Sequence, residues 1–105
     1  PGDRIAVQVE KSAETVALYL ASLLGGFVYL PLNTAYTDEE IAYFIADAEP
    51  AVFVTDPARA AAAPPGPRVL TLDAAGRGSL MRAAASARPS APVLRDESDL
   101  AVILY

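Results

Sequence analysis

Three short stretches of this sequence collect residue types that could hold a phosphate or a metal ion. Gly25-Gly26 offers two unobstructed amides. Gly76-Arg77-Gly78-Ser79 offers amides, a guanidinium and a hydroxyl, and Asp38-Glu39-Glu40 sets three carboxylates in a row. Each has a structural explanation that its placement favours. Glycines that cradle a phosphate stand between a strand and the helix after it, whereas Gly25-Gly26 follows a helical pattern and precedes a strand-like one; ending a helix accounts for them. Gly76–Ser79 lacks a following Lys, and Gly or Ser before a helix is ordinary capping chemistry. Consecutive residues on a helix point in different directions, and acids in a first turn offset the helix dipole, so Asp38-Glu39-Glu40 does not read as a Mg²⁺ site or an acid/base pair.

The rest of the composition narrows the chemistry further. There is no His and no Cys among the 105 residues, which removes the commonest general base, the thiolate nucleophile and the usual zinc ligands. No G-x-G-x-x-G follows a strand, and neither G-x-x-x-x-G-K-[ST] nor G-x-S-x-G occurs. The net charge is −5 and the basic residues are scattered singly, so nucleic-acid binding through a basic patch is excluded. The aromatics Tyr19, Phe27, Tyr29, Tyr36, Tyr43, Phe44 and Phe53 lack interleaved basic residues and read as core and boundary positions. The longest apolar stretch, residues 16–32, is broken by Ser22, Gly25-Gly26 and Pro31. It is no membrane span, and the reading is a soluble, cytoplasmic chain.

The elements alternate between strand and helix. Residues 4–9 read as a mostly buried strand, and Ser12 caps a helix over 13–24 that is apolar on nearly every side and should be buried on more than one face. Residues 27–30 form a second strand, stopped by Pro31. Thr37 and Glu40 form a capping box, Tyr36 staples against Ile41, and Ile41, Phe44, Ile45 and Ala48 mark the buried face of the next helix. Pro50 pushes Glu49 out of helical geometry and closes it. Residues 51–55 and 68–72 are further strands. A single helical turn and a loop separate these two, and a short helix over 80–87 follows. Residues 100–105 are a fifth, wholly apolar strand.

Apolar strands alternating with helices predict an α/β fold with a mainly parallel sheet and helices on both faces. Ligands of such sheets lie beyond the carboxyl ends of central strands. The fifth strand, the most apolar, is the candidate for a central position, which would bring Tyr105 near a ligand. Residues 1–105 are expected to be an incomplete N-terminal subdomain of βαβαβ type, loop-rich over 57–67 and 86–98. It starts without Met and stops inside an apolar run.

Three blocks carry the reading beyond fold class. Residues 23–33, Leu-Leu-Gly-Gly-Phe-Val-Tyr-Leu-Pro-Leu-Asn, resemble the second core motif of the acyl-adenylate-forming superfamily, which includes AMP-forming acyl-CoA synthetases, peptide-synthetase adenylation domains and luciferases. Residues 1–7 resemble the strand entry before that motif. Residues 99–105 resemble the strand leading into the family's phosphate loop. The match is good over 1–56 and 99–105 and loose between. Within the family, Glu10-Lys11-Ser12, residues 31–37 and residues 76–80 look most like malonyl-CoA synthetases.

The resemblance implies part of the large N-terminal domain of an enzyme that converts a carboxylate, ATP and coenzyme A into acyl-CoA, AMP and diphosphate. Malonate or a similar acid is the small-molecule substrate it implies. ATP, Mg²⁺ and coenzyme A belong to the parent enzyme, and none is expected on this chain alone. The family's phosphate loop, Thr-Glu motif, ribose-binding Asp and catalytic Lys have no matching position here. No catalytic, cofactor-binding or metal-binding residue is therefore carried over, and the functional partner of the chain is the remainder of the enzyme. Two other readings stand beside it: a freestanding α/β binding or interaction module without catalysis, and a flavodoxin-like nucleotide binder, which the missing glycine loop after the first strand disfavours.

Overall fold

The structure, a computed structural model, describes residues 2–105. Its elements are β1 (Arg4–Gln8), α1 (Ala13–Leu24), β2 (Val28–Pro31), α2 (Asp38–Ala48), β3 (Val52–Thr55), a 3-10 turn (Ala60–Ala62), β4 (Arg68–Thr71) and α3 (Ser79–Ser86). The strands run parallel in the order β2-β1-β3-β4.

The sheet is apolar on both faces because helices cover both. Ala6, Leu30 and Phe53 share a register row and pack with Leu32, Ile41, Ile45 and Ala48 beneath α2. Val7, Val54 and Leu72 form the opposite layer, against Leu18 of α1 and Leu80 of α3. The α2 face is as the spacing requires: Ile41, Ile45 and Ala48 are buried, and Phe44 and Tyr36 pack against them.

Helix ends follow from local chemistry. Both halves of the Thr37–Glu40 capping box are present, at 3.1 and 3.0 Å. Ser12 also caps α1 reciprocally, with Thr15 in the role usually taken by Glu or Gln. At the other end of α1 the residue with positive φ is Gly26 (φ +75°), not Gly25 (φ −79°). The Phe27 amide donates to Ser22 O at 2.9 Å and the Gly26 amide to Leu23 O at 3.2 Å, the paired closure of a Schellman motif. Glu49 leaves the helix through left-handed geometry (φ 49°), out of the helical region as expected before Pro50. The 3-10 turn lies in the expected 57–67 loop, and residues 87–98 contain no helix or strand.

The fifth strand is where the structure departs most from expectation. Within residues 100–105 only Val102 pairs, through one parallel bridge to Tyr29. It lies at the outer edge of β2, not in the centre of the described sheet. The reason is the supply of donors along that edge. Val28 and Leu32 turn their amides inward to β1, so the outward amides are those of Phe27, Tyr29 and Pro31. Phe27 is committed to the α1 terminus and Pro31 has no N–H. Tyr29 alone completes a rung, donating to Ala101 O at 2.8 Å and accepting from Ile103 N at 3.0 Å. The α1 expectation also fails among the described residues: Ser22 is the one buried residue of that helix.

Candidate functional site

In a sheet of order β2-β1-β3-β4 the chain leaves β1 toward one edge and returns past it to β3. The crevice beyond the carboxyl ends of β1 and β3 is thus the switch point where open α/β sheets place ligands. An open depression of about 150 Å³ lies there, bordered by Gln8, Glu10, Thr34, Asp56 and Arg59. A second, of about 530 Å³, lies beside it beyond the ends of β1 and β2, bordered by Glu10, Lys11, Pro31, Asn33 and Thr34.

The rim is held by a short polar network. Gln8, which ends β1 between the apolar Val7 and Val9, is buried (3% exposed). Its Nε2 donates to Asn33 O at 3.1 Å and Tyr36 O at 3.4 Å, and Arg59 Nη1 also reaches Tyr36 O at 3.5 Å. Asn33 Oδ1 accepts from Ala35 N, and Asp56 Oδ1 from Ala58 N, both at 2.8 Å. These Asx turns bend the chain away from each strand end. Next to Gln8 in register, Thr55 buries its Oγ1 without a hydrogen-bond partner. The crevice mixes two carboxylates and two cations. Among the described residues it shows no nucleophile–base pair, and its charged groups can orient a polar group.

The stretches singled out in the sequence lie elsewhere and serve the fold. In the 76–79 loop, the Arg77 amide donates to Asp73 Oδ1 at 2.9 Å, the Gly76 amide to Asp73 O at 3.0 Å and the Ser79 amide to Thr71 Oγ1 at 2.9 Å. These amides are spent internally and do not fit a phosphate cradle. Gly78 (φ +146°) is required because a Cβ would collide with the Thr71 carbonyl. Glu40 is bound in its cap, and no group of three His, Cys, Asp or Glu among the described residues is placed to hold a metal ion. The donor set does not fit Mg²⁺.

Tyr105 is drawn onto α2. Its hydroxyl donates to Asp47 Oδ2 at 2.6 Å, its ring stacks on Phe44 with centroids 4.4 Å apart, and Tyr36 OH donates to its carbonyl at 3.2 Å. The hydrogen bond to the Asp47 carboxylate, with some desolvation, pushes the Tyr105 phenol up to about 12. Burial, then the neighbouring Tyr19, raises Tyr29. Hydrogen bonds from the Ser98 amide and hydroxyl lower Asp96 in the turn before residue 100. Sequence reasoning missed Gln8, Asn33, Asp56 and Arg59. A polar residue ending an otherwise apolar strand was the available signal for Gln8; Arg59 had none.

Residues 1–105 match the family model described as AMP-binding enzyme. Crystal structures of MatB from Rhodopseudomonas palustris, apo and with ATP bound, superpose with a TM-score of 0.92 at 54% identity, over 99% of this chain and 22% of theirs. An acyl-CoA synthetase from Brucella canis gives 0.84 at 28% identity, over 98% of this chain and 21% of that one. Novobiocin biosynthesis protein H of Streptomyces niveus is 34% identical over all of this chain and 18% of its own length. The chain thus spans about a fifth of the length of each of these proteins. Among the described residues no helix is long and apolar enough to cross a membrane.

Proposed function

The chain belongs to the AMP-binding enzyme family, and from that membership we propose that it is the N-terminal part of an AMP-forming acyl-CoA synthetase. The 54% identity across 99% of the chain, with a shared backbone, is the observation that carries this reading. In the proposed reaction a carboxylate oxygen attacks the α-phosphorus of ATP. The bond to the β-phosphate bridge breaks and diphosphate leaves, giving an acyl-adenylate. The thiol of coenzyme A then gives up its proton, its sulfur bonds to the acyl carbon, and AMP departs. Mg²⁺ would supply charge neutralisation on the phosphates, held by residues outside this chain.

The role of residues 1–105 is to supply four parallel strands and the helices that cover them. No catalytic role is assigned to any of them. Malonate is the favoured acid, supported by the likeness of residues 10–12, 31–37 and 76–80 to malonyl-CoA synthetases together with the identity to MatB. A cytoplasmic location accords with this chemistry. The test is diphosphate release by the complete polypeptide with Mg·ATP, coenzyme A and a panel of acids. The expected result is malonate-dependent release with malonyl-CoA as product. Release with other acids, amino acids included, would correct the substrate; none with any acid would overturn the reading.

A further inference from the structure

Residues 100–105 are tied to the sheet by little. Their hydrogen bonds to it are the two at Tyr29, through Ala101 O and Ile103 N, so the sheet alone does not fix the course of the backbone two residues later. Helix α2 supplies what the sheet does not. Ile103 and Tyr105 share a face by strand alternation, and both pack on the α2 side. Ile103 lies against the layer of Leu30, Ile41 and Ile45, and the Tyr105 ring lies on Phe44 at 4.4 Å with 28° between the planes. Asp47 Oδ2 accepts from the Tyr105 hydroxyl at 2.6 Å, a charge-assisted bond of the strong kind, and Tyr36 OH donates to the Tyr105 carbonyl at 3.2 Å. Among the described residues the Asp47 carboxylate has no ion-pair partner and no other hydrogen bond. The helix that carries it is held at both ends, by the Thr37–Glu40 box and by Arg4 Nη1 of β1, which donates to Ala48 O at 2.9 Å.

The bridge from Val102 to Tyr29 is parallel. Residues 100–105 therefore end on the same side of the sheet as β1 and β3, the side where such sheets hold their ligands. We propose that Asp47 is a positioning residue for nucleotide binding in the complete synthetase: through the Tyr105 hydroxyl it sets the direction in which the backbone leaves residue 105 on the ligand side. Phe44 backs the ring and Tyr36 holds the carbonyl. Asp47 acts through Tyr105 and needs no contact with ATP. Its carboxylate has one task, to accept a hydrogen bond, which an amide carbonyl in the same place can also perform.

The proposal rests on the reading of the chain as the N-terminal part of an AMP-forming synthetase, and its test has one arm that does not depend on activity. Asp47→Ala, Tyr105→Phe, the two together, and Asp47→Asn are made in the complete polypeptide. Hydrogen exchange, read peptide by peptide by mass spectrometry, follows the stretch that contains Ile103 and Tyr105 against β1 and β3. Asp47→Ala and Tyr105→Phe are each expected to speed exchange in that stretch about five-fold, with β1 and β3 unchanged. The double variant should go no further than either single one, because both remove the same bond, and Asp47→Asn should stay close to the parent. In diphosphate release the same two variants should raise the KM for ATP about three-fold or more, again without adding, and leave the KM for the acid unchanged. Unaltered exchange around Ile103, additive effects, or an equal rise in β1 and β3 would overturn the proposal whatever the activity. Faster exchange with an unaltered KM for ATP would make the bond merely structural and overturn it too. Absence of diphosphate release from the parent polypeptide with every acid would instead overturn the synthetase reading, and the exchange arm would still decide whether Asp47 positions residue 105.

Discussion

Helices α1 and α2 are almost equal in length, at 12 and 11 residues, and cover opposite faces of one sheet, yet they divide their residues in opposite ways. α2 turns Ile41, Ile45 and Ala48 inward and shows Asp38, Glu39, Glu40 and Asp47 to solvent. α1 shows Val16, Leu20 and Leu24. An amphipathic helix completes a face, whereas a helix apolar all round asks for a second layer. The two helices therefore leave one side of the sheet finished in polar residues and the other with an apolar surface.

The largest expected effect lies at the finished face. Phe53, 2% exposed, lies in the layer beneath α2, and Phe53→Ala is expected to cost about 3–5 kcal/mol. Hydrogen exchange of the β1 and β3 amides in the complete polypeptide reads this loss locally. A second pair on α2 separates its two faces: Ile45→Ala should cost about 2–4 kcal/mol there, while the outward Tyr43→Ala stays within about 0.5 kcal/mol.

At the α1 terminus, Gly26→Ala is expected to cost about 1–2 kcal/mol. The residue sits at φ +75° and its new methyl would press on Val93 at 3.1 Å. Equilibrium denaturation checks it, and an unchanged midpoint would mean the turn relaxes freely. The smallest effect concerns α2 and Tyr105. In Asp47→Ala the phenol should fall from about 12 toward its ordinary 10, followed by the phenolate absorbance, with Tyr105→Phe identifying its share. Because the folded-state value is raised, the hydrogen bond stabilises fully below pH 10. That contribution is lost as pH climbs from 10 to about 12.

What was legible in the sequence was what depends on near neighbours. The bounds of α1, the Thr37–Glu40 box and the buried stripe of α2 all follow from residues within one or two turns. The parallel sheet covered on both faces followed from strands without polar alternation. Position within the sheet was not legible in this way. Residues 100–105 are apolar enough for a central strand, but Pro31 and the Schellman closure at Phe27 leave β2 one free amide. Both are properties of the partner edge, not of the strand itself. The crevice was equally hidden, since Gln8, Asn33, Asp56 and Arg59 are brought together by the crossover from β2 to β3. The adenylate-forming assignment came from three blocks in order, and the family match over residues 1–105 bears it out.

The most direct test of the account compares residues 1–105 alone with the complete polypeptide in acid-dependent ATP–diphosphate exchange. Exchange with malonate is expected from the complete polypeptide and none from the isolated chain. Exchange by residues 1–105 alone would place catalytic groups inside this chain and contradict it.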